Sequence, residues 1–233
     1  MSLNPFATVS DYPSMLNKVA IFTFFAALIA TGIFAWQVPA VKQLLPNMAV
    51  KVPETDIQVP LLVLLVALAF ALISRMIKLH DRLSDLLGIR KRFDVYAILL
   101  PMASASGAAL SLDQQGTVMK RRQQLMREVF YKYASSSPGK AQIEEHAITM
   151  ALDQWSWYWI CVEIMCILFL TSLSLFFSHR YAAASSILGL NFLIIWLLQT
   201  IREFCRRYAQ EEIREILVDS ARKRAVHEVF QAL

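Results

Sequence analysis

The chain has 233 residues, 57% of them hydrophobic, and 23 Lys and Arg against 18 Asp and Glu, for a formal net charge of +5. A mean hydropathy of +0.46 is too apolar for an ordinary soluble domain of this size. Its three cysteines, Cys161, Cys166 and Cys205, fall in or beside apolar runs, so no disulfide is expected.

Residues 1–17, with Pro5 and Pro13, read as a loop or interfacial segment. The first apolar run, 19–36, is not expected to be a cleaved signal. Its leader carries one basic residue, Lys18, together with Asp11, and Phe34-Ala35-Trp36-Gln37 is a poor cleavage site. Pro39, Pro46 and Pro53 mark 37–56 as an extended loop. A second apolar run covers 57–77, a third 157–177 and a fourth 186–201. A helix needs roughly 20 mostly apolar residues to cross a hydrocarbon core of about 30 Å. The expectation is an all-α integral membrane protein with four transmembrane helices. Its parts are an N-terminal segment with two spans (1–77), a cytoplasmic helical insert (78–154), two further spans (155–201) and a long C-terminal cytoplasmic helix (202–233).

Within the insert, Leu79, Leu83, Leu86 and Leu87 recur at helical spacing up to Gly88, and the basic triplet Arg90-Lys91-Arg92 follows. The run Phe93–Pro101 is too short to span. The small residues of 102–112 suit close packing or a hinge. A helix is expected over 117–134, with Val118, Leu125, Val129, Phe130 and Tyr133 as its apolar stripe and Lys120, Arg121, Arg122, Arg127 and Lys132 on the remainder. Ser135-Ser136-Ser137-Pro138-Gly139 ends it, and another helix over 141–153 leads into the third span. No Gly or Pro interrupts 190–233, so an unbroken helix there would be about 65 Å long.

Lys and Arg close and follow the second run (Arg75, Lys78, Arg82, Arg90–Arg92) and follow the fourth (Arg202, Arg206, Arg207, Arg214), whereas the loop 37–56 holds only Lys42 and Lys51. Positive charge stays inside. Both termini and the insert are therefore expected in the cytoplasm, with Trp155, Trp157, Tyr158 and Trp159 at the interface of the third span.

Catalytic patterns are missing. His227-Glu228-Val229-Phe230-Gln231 lacks a zincin's second histidine, His80-Asp81 with Ser84 is crowded on one short helix, and the four histidines do not pair with cysteine at ligand spacing. The expectation is a protein that is not an enzyme and uses no cofactor or metal.

Glu163 is the one acidic residue inside a run, about 10 Å from the cytoplasmic edge. A charged side chain mid-span costs about 2.5–3.5 kcal/mol, so it should face protein or a water cavity. Asn191 and Gln199 on the fourth helix are its expected partners, with Arg202 reaching from the cytoplasmic end. Two readings stand: a charge that attracts cations or gates an oligomeric pore, and a hydrogen-bonded glutamate that glues the third helix to the fourth. By polarity, the third and fourth helices would line any aqueous path, and the first two would meet lipid. Arg90, Lys91, Arg92, Lys120, Arg121 and Arg122 are candidates for an anionic ligand, with Phe93, Tyr96, Phe130, Tyr131 and Tyr133 able to stack on bases or to form the core of the same helices. Anionic lipid is the alternative partner for this charge.

The stretch Leu86-Leu87-Gly88-Ile89-Arg90-Lys91-Arg92-Phe93-Asp94, with Ile98-Leu99-Leu100-Pro101 after it, resembles the membrane channel effector of the Hailong two-gene anti-phage defence system. The resemblance extends to the plan of a small four-span protein with a basic insert and a long C-terminal helix. It implies a tetrameric ion channel in the bacterial inner membrane, held inactive by single-stranded oligodeoxyadenylate that a partner nucleotidyltransferase makes. The functional expectation is a homo-oligomeric, ligand-gated channel. The alternative is a non-conducting scaffold or receptor that recruits a cytoplasmic partner through 202–233.

Overall fold

The computed structural model describes residues 8–44, 49–51, 58–137 and 139–233. The fold is all-α, and among the described residues three helices are long and apolar enough to cross a membrane. They are α1 (Tyr12–Gln37), α9 (Glu145–Phe177) and α10 (Tyr181–Val218). After α1 come the short α2 (Pro39–Leu44) and a two-stranded antiparallel ribbon, β1 (Ala49–Lys51) and β2 (Gln58–Pro60), with Val50 opposite Val59. The loop expected to be extended is thus partly helix and ribbon. Its Pro46 and Pro53, like Pro5 and Pro138 elsewhere, lie outside the described residues.

The second apolar run is helical over 17 residues only, as α3 (Leu61–Ile77). Lys78 at its end takes a left-handed conformation (φ 49°), and the next helix, α4 (Leu79–Leu87), departs at 61°. A left-handed residue cannot continue a right-handed helix, so the bend is built into the backbone there. Gly88 (φ 63°) then separates α4 from α5 (Ile89–Phe93).

A first π-helical segment, Asp94–Leu99, continues α5 and leads into α6 (Leu100–Ser106), which ends at Gly107 (φ 91°). The small-residue stretch expected as a hinge is therefore mostly helix. Next are α7 (Leu112–Lys120), opened by a capping box between Ser111 and Gln114, α8 (Arg122–Leu125), and a second π-helical segment, Met126–Phe130. The single helix expected over 117–134 begins earlier and is broken at Arg121. Its apolar stripe is nevertheless buried throughout: Val118, Leu125, Val129, Phe130 and Tyr133 are each at most 5% exposed.

The C-terminal segment is two helices rather than one. Asp219 leaves helical geometry, and its carboxylate accepts from the Arg222 N–H (2.8 Å), so α10 stops at Val218 and α11 (Ser220–Gln231) starts anew. Aspartate competes for backbone donors in this way, a signal that does not require glycine or proline.

The chain divides into two compact units. The first comprises 16–80 and 157–200. Ala27, Ala30, Ala67 and Ile167 pack where α1, α3 and α9 meet, and Leu168, Leu175, Ala184 and Ile187 pack between α9 and α10. Small residues let the backbones approach, as they do where no hydrophobic effect draws helices together. The second unit comprises 81–156, 201–233 and the described part of Phe6–Met15. Its core includes Val95, Leu99, Met102, Ile216 and Phe230, with α11 lying on α6 and on the second π segment. Trp155 packs on Phe93 (4.5 Å between ring centroids) in this unit, whereas Trp157 packs on Phe22 (5.1 Å) in the first. The aromatic cluster expected at an interface is thus engaged in packing, with Tyr158 and Trp159 buried.

Ala67→Leu should overpack the α1–α3–α9 contact and lower stability by about 1–3 kcal/mol, read as a melting temperature in detergent. Leu65→Ala, on the exposed side of α3, should cost much less, and equal losses would contradict the packing described. Asp219→Ala should cost about 1 kcal/mol through loss of the α11 cap, and Asp219→Asn should restore most of it in the same assay.

Candidate functional site

In the first unit Glu163 is 1% exposed. Its carboxylate accepts from Thr23 Oγ1 (2.5 Å, from α1) and Ser74 Oγ (2.9 Å, from α3). His80 Nδ1 lies 3.9 Å from Oε1, with its ring against Trp159. These three neighbours are themselves buried. The sequence expectation is corrected here: the partners are on the first two helices, not Asn191 and Gln199 on the fourth. Asn191 is buried, but its amide, oriented to suit its surroundings, donates to the Met165 carbonyl and accepts from the Phe169 N–H (both 3.2 Å) on α9. Gln199 and Arg202 are exposed. Of the face Asn191, Ile195, Gln199, Arg202 and Arg206, only Asn191 turns inward. Thr23 and Ser74 escape the sequence reading, although each is a hydroxyl inside an apolar run, where it must bond within the protein.

The second unit gathers most of the basic candidates. Lys91, Lys120, Arg121 and Arg122 line one open bowl of about 770 Å³ together with Arg127 and Glu128. The two basic clusters are far apart in sequence, and packing of the first π segment, which continues α5, against α7 and α8 brings them together. Five cations thus face one carboxylate, and Glu128 is already engaged by Gln124 (2.8 Å). Arg127 is a bowl residue that the sequence reading leaves out of the ligand candidates. Lys120 ends α7 and Arg127 lies in the second π segment, so the break at Arg121, which no simple period reveals, decides that they share the bowl.

Arg90 and Arg92 are not in the bowl. Arg92 is exposed. Arg90 belongs to an adjoining hollow of about 300 Å³, lined also by Asp81, Asp85, Asp94, Arg122, Arg127 and Tyr131. There Arg90 pairs with Asp81 (3.6 Å) and donates to Tyr131 Oη (3.3 Å), and Tyr12 Oη donates to Asp81 Oδ2 (3.1 Å). Arg122 lines both hollows, and its Nη1 donates to Asp94 Oδ2 at 2.9 Å. Burial pushes the Asp94 carboxyl up to about 6, against Arg90 and Arg122, which pull it down.

Of the aromatic residues that could stack on bases, Phe93, Phe130 and Tyr133 are core. Tyr96 (59% exposed) and Tyr131 (40% exposed) are open, and Tyr131 lines the hollow beside the bowl. Asp94 opens the first π segment, and Arg122 lies one turn ahead of the second. Such segments widen the helical turn and recur at functional positions.

Fold and site together define a class: an all-α protein compatible with multi-pass membrane insertion, with a basic bowl in its second unit. Within that class the chain belongs to the YmfE protein family, which matches residues 11–230. No curated protein and no solved structure matches the chain.

Glu163→Gln keeps a carbonyl acceptor for Thr23 and Ser74 and should melt close to the natural protein. Glu163→Leu removes the acceptor from two buried hydroxyls and should cost about 1–3 kcal/mol, and adding Thr23→Val to the Glu163→Leu background should recover part of it. Indistinguishable melting of the Gln and Leu variants would rule out these bonds as a stabilising contact.

Proposed function

We propose that this protein is a ligand-gated ion channel of the bacterial inner membrane and not an enzyme. On this reading it crosses the bilayer four times with both termini in the cytoplasm, and it assembles with copies of itself, as a tetramer if the resemblance to the Hailong anti-phage effector holds. α3 serves as the fourth crossing. Its 17 residues rise about 25 Å, at the short end of what spans a bilayer. Several subunits are required because four helices alone enclose little water.

The observation that carries this reading is the convergence of Lys91, Lys120, Arg121, Arg122 and Arg127 on one bowl, in a chain that also has helices apolar enough to enter a membrane. Five fixed cations suit a strand of phosphates, and Tyr131 in the adjoining hollow suits a stacked base. The ligand is accordingly a short single-stranded oligonucleotide, with oligodeoxyadenylate from a partner nucleotidyltransferase the specific candidate. α9 runs without a break from 145 to 177, so a displacement of its first turns is transmitted along a single helix into its apolar half. The bonds of Glu163 to Thr23 and Ser74 favour the helix-gluing role for that residue. They leave the exposed Gln199 and Arg202 as the gating candidates, on a helix whose apolar face (Phe192, Leu193, Trp196) is also exposed and available to lipid or to another subunit.

The test is a planar-bilayer recording of the purified protein with and without oligodeoxyadenylate on the cytoplasmic side. The natural protein should give discrete currents that the strand alters. Replacing Lys91, Lys120, Arg121 and Arg127 together by Ala should leave the currents and abolish the response. Currents that respond equally in both would overturn the ligand site. Silence under every condition would overturn the channel and favour a scaffold that recruits a partner through 202–233.

A further inference from the structure

The bowl and the acidic hollow share Arg122, and that sharing has a thermodynamic consequence. Arg122 is the side chain in the bowl that also holds a mostly buried carboxylate: the pair is 2.9 Å apart, with side chains 13% and 8% exposed. A guanidinium can donate in several directions, but its charge is single. Phosphates seated in the bowl compete with Asp94 for that charge, and a buried carboxylate that loses its nearest cation is driven toward its neutral form.

We infer that the bowl binds an oligophosphate strand by drawing Arg122 away from Asp94, and that binding is thereby coupled to uptake of a proton by Asp94. This rests on the ligand reading above and adds its regulation. The charged and titratable groups around Asp94 come from every neighbouring element. Arg90 from α5 and Arg122 from α8 favour its ionised form, and Arg127 from the second π segment lines the same hollow. Asp81 and Asp85 from α4 lie on the other wall, and Tyr131, which faces Asp94 and Glu212, closes it. Burial displaces the Asp94 carboxyl from its ordinary value of 3.8 toward neutrality, to about 6. In the free protein this displacement means that the Asp94 contribution to stability is complete below its ordinary value and is lost as pH rises through about 6. A bound strand moves that window further upward. By reciprocity, acidification tightens the strand's grip to the same extent that the strand tightens the proton's.

The first and second π segments give the pair room to part. Asp94 begins one and Met126, next to Leu125 at the end of α8, begins the other. A π turn is a local widening of the helix, and Asp94 is the first residue of one, while Arg122 lies one turn ahead of the other.

The experiment is calorimetric titration of the full chain, held in nanodiscs of neutral lipid, with oligodeoxyadenylate lacking terminal phosphates. The phosphodiesters of that probe do not titrate between pH 6 and 8. Measured in buffers of different ionisation enthalpy, the natural protein should take up a fraction of a proton approaching one per strand. Its affinity should fall as pH rises across that range, by up to about tenfold per unit. Asp94→Asn should bind without proton uptake and with an affinity that does not depend on pH. Arg121→Ala, a bowl cation that does not pair with Asp94, should bind more weakly and still take up the proton. If Asp94→Asn fails to fold, Arg122→Gln is the second variant and should lose both proton uptake and part of the affinity. Binding with no proton exchange in the natural protein would overturn the coupling and leave the ligand site standing. No binding at any pH would overturn the ligand site itself. Proton uptake that appears only on adding anionic lipid, with no effect of the strand, would replace the soluble strand by a lipid headgroup and overturn the inference as stated.

Discussion

A carboxyl group in an apolar helix bundle has to find its hydrogen bonds inside the bundle, and Glu163 finds them on two other helices. Thr23 and Ser74 both donate to it, and together they tie α9 to α1 and to α3. The contacts that surround this point are small: Ala27, Ala30 and Ala67 bring the helices close enough for short side chains to reach. Replacing any of these alanines with a larger residue separates donors from acceptor. Polar bonding and small-residue packing are therefore one constraint in this unit, because hydroxyl side chains reach only a short distance and nothing in hydrocarbon substitutes for them.

The second unit solves a different problem. Its core is ordinary, with Leu99, Met102, Ile216 and Phe230 fully enclosed, and its charges are sorted around that core. Arg90 and Arg122 are drawn into pairs with Asp81 and Asp94, while Lys91, Lys120, Arg121 and Arg127 are left to line the bowl. Residues that look equivalent within a basic triplet thus do different work. A cation whose charge is already met by a buried carboxylate is a structural element or a coupling element, and an exposed one adds to the field that a polyanion meets.

The periodic apolar stripes are legible along the chain. Val118, Leu125, Val129, Phe130 and Tyr133 form one buried face as their spacing requires, and the left-handed glycine after Leu87 ends a helix where expected. Breaks are harder to read. Lys78, Arg121 and Asp219 each interrupt a helix without glycine or proline. At Lys78 and Asp219 the interruption depends on backbone geometry and local side-chain capping, to which hydropathy is blind. Sequence order points to Asn191 and Gln199 as the partners of Glu163, because neighbours in a helical hairpin are the simplest choice. Which helices surround a given face is instead a property of the bundle.

From its sequence alone, this chain was bound to be apolar and helical, with long runs fit for a membrane and basic clusters kept apart from them, because each of those properties is a sum or a period along the chain. Which cations share a bowl, which one is withheld by Asp94, and which hydroxyls meet Glu163 were decided only in three dimensions. The Asp94–Arg122 and Thr23–Glu163 pairs join residues 28 and 140 positions apart, and no local pattern carries information about a partner that lies on another helix.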